Sequence, residues 1–133
     1  MNEVFLDTVG LIAIWNKSDQ WHAPAQKAYA DLRAAREAFV TTQYVLLEGG
    51  NAAARTSIRN DVINLRISLT RTNRLISPTD DDWNQGWEAY GRGEAGNAGI
   101  VDHVSFVVMR RLGITRAFTN DAHFRAAGFE TLF

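Results

Sequence analysis

Five short stretches of the chain have the character of strands inside a sheet. Most are apolar runs bounded by polar or turn-forming residues, and they are too short for buried helices. We predict strands at residues 4–6, 39–41, 75–76, 117–119 and 130–132.

The segments between these strands have helical spacing. In residues 58–69, apolar side chains recur at intervals of four, three and four, which places them on one helix face. Further helices are predicted at residues 9–15, 24–32, 44–54, 79–87, 100–112 and 122–127. Thr79 and Asp82 have the spacing of a capping box at the start of the helix at 79–87. The glycine-rich stretch 91–99 follows a helix rather than a strand, so it predicts a flexible connection and not a phosphate-binding loop.

Strands that alternate with helices predict an α/β fold, in which helices cover both faces of a central parallel sheet. A length of 133 residues suits one domain over residues 1–133. Parallel sheets bind ligands beyond the carboxyl ends of their strands, where the strand order reverses. If the strand order is 3-2-1-4-5, strands one and four are neighbours, and their carboxyl ends form this crevice.

The composition excludes several classes of protein. The 46% hydrophobic and 22% charged residues are those of an ordinary globular domain. The absence of cysteine excludes disulfides and thiolate zinc sites. The start of the sequence has neither a basic leader nor an apolar stretch of membrane-spanning length, so we expect a cytoplasmic protein with no membrane partner.

Four acidic residues are candidates for chemistry. Asp7 and Asp121 follow strands one and four, so both are expected at the carboxyl edge of the sheet. Glu48 lies on the helix after strand two, and Asp102 begins an otherwise apolar helix, where a carboxylate is costly unless something satisfies it. Each acid alone has an ordinary explanation as a helix cap or a turn residue. Four carboxylates in one crevice would repel each other without a cation, and oxygen ligands favour Mg²⁺ or Mn²⁺.

Arginine is the main cation of the chain. Twelve of its 14 positive residues are arginine, although the net charge of −1 is not that of a basic nucleic-acid-binding protein. Arg55, Arg59 and Arg66 fall on one side of a predicted helix. They form either a solvated helix flank or, if an active site lies nearby, a phosphate-binding surface.

Several motifs around the four acids resemble those of PIN-domain nucleases, and in particular VapC-like toxins of bacterial toxin–antitoxin pairs. The resemblance covers essentially the whole chain, in order, and its last forty residues are the most specific part. The matching stretches are Phe5-Leu6-Asp7-Thr8, Leu46-Leu47-Glu48-Gly49-Gly50-Asn51, Ile100-Val101-Asp102-His103-Val104-Ser105-Phe106, Met109-Arg110-Arg111-Leu112-Gly113-Ile114 and Thr119-Asn120-Asp121-Ala122-His123-Phe124.

The resemblance implies a three-layer α/β/α PIN-like fold with the strand order 3-2-1-4-5. It also implies a ribonuclease that uses Mg²⁺ or Mn²⁺, leaves 5′-phosphate and 3′-hydroxyl ends, forms a homodimer and is inhibited by a small antitoxin protein. The family's four metal-binding acids fall on Asp7, Glu48, Asp102 and Asp121, and its supporting polar residues on Thr8, Asn51, Ser105 and Thr119. The chain departs from many relatives at residues 95–99, which replace a segment rich in aspartate and lysine, so we expect no acidic or lysine contact with substrate from these residues.

Other polar and aromatic residues have weaker assignments. His123 is a candidate to touch the RNA substrate together with the three arginines, whereas His103 is expected to have a packing or surface role. Trp83 and Trp87 lie one helical turn apart and could stack on bases or form a dimer surface, but core packing is the prediction.

Two other functions compete with the ribonuclease. An aspartate-based phosphatase would use Asp7 as its nucleophile, but Val9 stands where its second acid is needed, and no lysine follows Lys27 to hold a phosphoryl group. A non-catalytic module of the same fold would bind RNA or a protein partner. Metal-dependent turnover of RNA distinguishes the ribonuclease from such a module.

Overall fold

A computed structural model describes residues 3–133, and within this range the chain forms five strands and seven helices. Residues 1 and 2 lie outside the described residues. The predicted domain over residues 1–133 and the expectation about the start of the chain both include them. The strands are β1 (Glu3–Leu6), β2 (Ala38–Thr42), β3 (Leu75–Ile76), β4 (Arg116–Phe118) and β5 (Glu130–Thr131). The helices are α1 (Thr8–Trp15), α2 (His22–Ala34), α3 (Gln43–Ala53), α4 (Arg59–Arg71), α5 (Asp80–Gly91), α6 (Ile100–Leu112) and α7 (Ala122–Ala126).

The five strands form one parallel sheet in the order β3-β2-β1-β4-β5, which confirms the predicted strand order. The central strand β1 pairs with both β2 and β4. Phe5 stands opposite Val40 on one side and Ala117 on the other. The carboxyl ends of β1 and β4 are therefore neighbours at the position where the strand order reverses.

The core lies on both faces of this sheet. Phe5 of β1 and Phe118 of β4 are fully buried, and Phe106, Met109 and Phe124 pack into the same core from α6 and α7. Burial on both faces is characteristic of a parallel sheet covered by helices. The apolar runs that predicted the strands are thus the centre of the molecule.

Helix α1 lies unusually close to β4. A Cβ atom at Gly10 would lie 2.0 Å from the carbonyl oxygen of Phe118, so only glycine fits at this position. This close approach brings the start of α1, with Asp7 at its N-cap, against the residues that follow β4.

The packing of α5 contradicts one prediction, because Trp83 and Trp87 are not core residues. Their exposed fractions are 41% and 44%. Helix α5 instead turns its small residues toward α6, since a Cβ atom at Gly86 would lie 2.6 Å from a methyl group of Val104. Such close helix packing has no room for indole rings at the contact, so the tryptophans occupy another side of α5.

Asp82 and Arg111 fasten α5 to α6. The guanidinium of Arg111 donates two hydrogen bonds of 2.9 and 2.7 Å to the carboxylate of Asp82, which is 1% exposed. Asp82 also accepts from the backbone nitrogen of Thr79 and completes the capping box that was predicted at the start of α5. In residues 3–133, no helix combines the length and apolar character needed to cross a membrane.

Candidate active site

Asp7 is the most deeply buried acid of the candidate site. It leaves β1 as the N-cap of α1, where its Oδ2 atom accepts from the backbone nitrogen of Val9 at 3.4 Å. The same oxygen accepts a 2.9 Å hydrogen bond from the hydroxyl of Thr119, just after β4. The Thr119 oxygen accepts in turn from the backbone nitrogen of Asp121. Thr119 therefore joins the two strand ends that the sequence predicted to be neighbours.

Asp102, Asp121 and His123 form a tight cluster beside Asp7. Asp102 lies in the first turn of α6, and Asp121 is the N-cap of α7. The Nδ1 atom of His123 lies 3.0 Å from Oδ1 of Asp121 and 3.9 Å from Oδ2 of Asp102. One potential ligand atom from each of the three residues lies within 4.8 Å of the others, a spacing that could hold a metal ion.

Glu48 reaches the site from α3. Its Oε1 atom accepts a 2.6 Å hydrogen bond from the hydroxyl of Thr8, the first residue of α1. One carboxylate oxygen is thus held in place next to Asp7. The side chain of Glu48 is otherwise exposed, which leaves its second oxygen free to face solvent or substrate.

The electrostatics show that these carboxylates belong to one site. The pKa of Asp7 is raised from 3.8 to about 7, mainly by burial and next by the negative charge of Asp102. The hydrogen bond from Thr119 works in the opposite direction, and the charges of Asp121 and Glu48 add smaller increases. The effects of desolvation and mutual repulsion on the pKa of Asp7 therefore outweigh that of the hydrogen bond from Thr119.

Asp102 shows the same pattern at a less buried position. Its pKa is raised from 3.8 to about 6, mainly by burial and then by the charges of Asp121 and Glu48. His123 and a backbone hydrogen bond with Gly99 lower it. The residues around Asp102 therefore compensate only part of the free-energy cost of burying its charged carboxylate at the start of the apolar helix α6.

This donor set fits a hard divalent cation. Carboxylates that are buried together and repel one another become favourable when a cation compensates their charge. Oxygen ligands suit Mg²⁺ and Mn²⁺, and an imidazole nitrogen is also compatible with Mn²⁺ or other transition metals. Asp7, Asp102 and Asp121 would hold the ion, with Glu48 and His123 at its margin.

The other predicted site residues divide into those near the acids and those apart from them. Thr8 and Thr119 each hydrogen-bond to one of the four carboxylates. Ser105 instead donates to the carbonyl of Val101 inside α6. Asn51 lines a cavity next to Glu48.

The three arginines lie outside the acid cluster. Arg55, Arg59 and Arg66 are exposed, on α4 and on the turn before it. Arg59 donates a 3.4 Å hydrogen bond to the carbonyl of Ala54. Helix α4 packs against α3, the helix that carries Glu48.

Sequence reasoning missed two features of the site. The first is the position of His123, whose Nε2 atom lies 2.9 Å from the side-chain oxygen of Asn97. In the sequence, only the spacing of Asp121 and His123 pointed to a role for His123 at the site. The contact with Asn97 had no signal, because Asn97 lies 26 positions away in the glycine-rich connection. The second is the cavity beside Glu48, which Tyr44 of α3 and Trp83 of α5 help to form.

Comparisons with known proteins agree with this fold. The family model described as "PIN domain" matches residues 4–130. The chain is 32% identical over 127 residues to the 23S rRNA-specific endonuclease VapC20 from two strains of Mycobacterium tuberculosis, with 95% of each protein covered. The crystal structure of Mycobacterium tuberculosis VapC20, described as a Sarcin-Ricin loop cleaving toxin, matches with a TM-score of 0.78 and 28% identity over 95% of both chains. The chain therefore belongs to the PIN-domain family, among its VapC-like ribonucleases.

Proposed function

We propose that this PIN-domain ribonuclease cuts RNA internally with a divalent cation, Mg²⁺ or Mn²⁺, at Asp7, Glu48, Asp102 and Asp121. The observation that carries the proposal is the meeting of these carboxylates at the carboxyl edge of the sheet, where the pKa values of Asp7 and Asp102 rise to about 7 and about 6. Carboxylates that are buried and repel one another favour a positively charged ligand, and such a cation can bind a phosphodiester. The named activity of VapC20 on 23S rRNA supports a structured RNA as the substrate class.

The residues of the site divide the chemistry among them. When bound, the cation supplies positive charge to the phosphate oxygens and lowers the pKa of bound water. Asp7, oriented by Thr119, and Asp102 with Asp121 provide the ligand oxygens. Glu48, with one oxygen fixed by Thr8, orients the attacking water or holds a second ion.

The surrounding residues position the RNA. His123 is held between Asp121 and Asn97, so it can contact substrate without leaving the cluster. Exposed Arg55, Arg59 and Arg66 would bind backbone phosphates on the flank of α3 and α4. Water attack on phosphorus with departure of the 3′ oxygen leaves a 5′-phosphate and a 3′-hydroxyl.

The biological setting of the proposal follows from the relatives. VapC20 is described as a toxin, so we infer a toxin role with a small antitoxin partner for this chain as well. The proposal also includes one nuclease domain over residues 1–133, a homodimer and a cytoplasmic location. Co-expression with the product of the adjacent reading frame, followed by purification of a stable complex and loss of cleavage, tests the antitoxin.

Substitution of single acids tests the catalytic assignment. Asp7→Asn and Asp102→Asn should each lower cleavage of a mixed RNA pool in Mg²⁺ or Mn²⁺ by about 100-fold or more, since each removes a charged ligand from the site. Asp81→Asn is the matched control, because Asp81 is an exposed acid in the first turn of α5 and should cleave like wild type. Circular dichroism checks that all three variants are folded.

Two results would contradict the assignment. Undiminished cleavage by purified Asp7→Asn or Asp102→Asn would remove these residues from the site, and full activity in excess chelator would remove the cation. Stoichiometric RNA binding without turnover at any metal concentration would identify a non-catalytic module instead. Release of phosphate from small phosphomonoesters, without RNA cleavage, would identify a phosphatase.

A further inference from the structure

His123 presents one particular ring nitrogen to the acid cluster. Its Nε2 atom lies 2.9 Å from the side-chain oxygen of Asn97, and an amide oxygen can only accept a hydrogen bond. Nε2 therefore carries the hydrogen, and in the neutral imidazole the lone pair is on Nδ1. The contact with Asn97 thus determines which nitrogen of the ring is available as a ligand.

Two carboxylates face this Nδ1 atom. It lies 3.0 Å from Oδ1 of Asp121 and 3.9 Å from Oδ2 of Asp102. The three side chains are half-buried, and one ligand atom from each lies within 4.8 Å of the others. Electron-pair donors that converge in this way repel one another unless a positive charge lies among them. A divalent cation bound by two carboxylate oxygens and one imidazole nitrogen removes this repulsion.

The fold orients the imidazole from both of its nitrogens. Oδ1 of Asp121, beside Nδ1, also accepts from the backbone nitrogen of His123 at 2.9 Å, so the start of α7 sets the position of the ring. Asn97, beside Nε2, precedes the buried Ala98 at the entry to α6, the helix that carries Asp102. Metal-binding histidines usually donate their second N–H to an oxygen atom that fixes the ring. The amide oxygen of Asn97 has that position here.

We propose that Nδ1 of His123 binds the divalent cation together with Asp102 and Asp121. Asn97 is the positioning residue of this ligand, since its oxygen contacts the imidazole and not the ion. The proposal rests on the proposed ribonuclease function and specifies its metal. Mg²⁺ strongly prefers oxygen ligands and gives up its water reluctantly, whereas Mn²⁺ accepts both carboxylate oxygen and imidazole nitrogen. The site should therefore favour Mn²⁺ over Mg²⁺.

Pulsed electron paramagnetic resonance of Mn²⁺ bound to the full chain tests the nitrogen ligand directly. A coordinated imidazole adds modulation from its nitrogen nucleus to the electron spin echo, and a carboxylate does not. Wild type should show this modulation, and isotopic labelling of histidine nitrogen should shift its frequencies. His123→Phe keeps a planar ring without nitrogen and should lose the modulation. Circular dichroism checks that this variant is folded.

Equilibrium binding of Mn²⁺ and of Mg²⁺ gives a second readout, which does not depend on RNA cleavage. His123→Phe should weaken Mn²⁺ binding by about 10-fold to 100-fold and Mg²⁺ binding much less. Asn97→Ala should reduce the preference for Mn²⁺ in the same direction, by about 10-fold. Asn97→Asp should retain the preference, because a carboxylate oxygen also accepts from Nε2.

His22→Phe is the matched control for the loss of an imidazole. His22 begins α2, and its Nδ1 atom lies 2.8 Å from the carbonyl oxygen of Ala13 rather than near a carboxylate of the cluster. This variant should keep the nitrogen modulation and both metal affinities of wild type.

The outcomes separate this proposal from the ribonuclease assignment. If bound Mn²⁺ shows no nitrogen modulation, or if the modulation persists in His123→Phe, the nitrogen ligand is wrong and the assignment of the four acids stands. If His123→Phe binds both ions like wild type but loses affinity for RNA, His123 contacts the substrate and not the ion. If Asn97→Ala and Asn97→Asp have the same preference between the ions, Asn97 does not position the ring. If wild type binds neither ion, the cation of the proposed function falls as well.

Discussion

Asp7 is both the N-cap of α1 and a proposed catalytic residue, and its burial sets its pH dependence. Its pKa is about 7 in the folded chain and 3.8 ordinarily. Between these values the unfolded chain has lost the proton while the folded chain keeps it, so stability without metal falls as pH rises from about 4 to about 7. The loss for Asp7 reaches at most about 4 kcal/mol, because one pKa unit corresponds to about 1.4 kcal/mol.

Asp7→Asn tests this prediction. Asparagine keeps the N-cap but cannot ionise, so in metal-free buffer the variant should become more stable than wild type as pH increases, with near equality at pH 4. Mg²⁺ or Mn²⁺ should stabilise wild type above pH 7 much more than the variant. Denaturant unfolding at several pH values measures both effects. A difference in unfolding free energy that is constant from pH 4 to pH 8 would contradict the pKa of Asp7.

At the same residue scale, the sequence predicted some contacts and could not predict others. Asp7 and Asp121 were placed correctly at strand ends because Asp7 directly follows an apolar strand run and Asp121 follows another with one residue between. The contact between His123 and Asn97 was not predictable, since it depends on how the glycine-rich connection folds back. The exposure of Trp83 was predicted wrongly because periodicity shows that two residues share a face, and not which face is buried.

At the scale of helices, removal of the ion pair between Asp82 and Arg111 has the clearest expected effect on the free energy of unfolding. Burial alone would raise the pKa of Asp82, but hydrogen bonds from Arg111 and Thr79 and the charge of Arg111 lower it overall. Arg111→Met should therefore destabilise the fold by about 2–3 kcal/mol at pH 7, since it leaves a buried carboxylate without its charged partner. The cost should shrink as pH falls and Asp82 becomes protonated.

The matched control is Arg92→Ala, which removes an ion pair that is more than half exposed on both sides. Such surface pairs contribute about 1 kcal/mol or less, so this variant should unfold almost like wild type. Thermal unfolding at pH 7 and at pH 3 compares the two. Equal destabilisation by both variants, or a cost for Arg111→Met that does not depend on pH, would show that the pair does not hold α5 to α6.

Helices and strands themselves were largely predictable, because periodicity and caps are local properties. The capping box of Thr79 and Asp82 marked the start of α5 correctly. Strand β4 was predicted one residue late, at 117–119, whereas it ends at Phe118. Just beyond that end, the hydroxyl of Thr119 donates to Asp7, and a tertiary contact of this kind cannot be predicted from local propensity.

At the scale of the whole molecule, alternating strands and helices predicted a parallel sheet, but alternation alone does not determine the strand order. The order 3-2-1-4-5 came from the resemblance to PIN-domain nucleases, and the sheet confirms it. This order makes β1 and β4 neighbours, and the crevice at their carboxyl ends collects acids from four separate segments. The candidate active site thus depends on the topology, since no two of its four acids are closer than 19 positions in the sequence.

The charge of the whole molecule leads to a final prediction about RNA binding. A net charge of −1 cannot attract a polyanion over a long distance, so phosphate binding depends on local clusters of arginine. Replacement of Arg55, Arg59 and Arg66 by alanine should raise KM for RNA with little change in kcat. It should also reduce the slope of log affinity against log salt by about 2, because each single-strand phosphate contact contributes about 0.7. The control replaces exposed Lys17, Lys27 and Arg33, which changes the net charge equally. If this control shifts KM and the salt slope as much as the arginine variant does, overall charge and not the α4 flank binds the RNA.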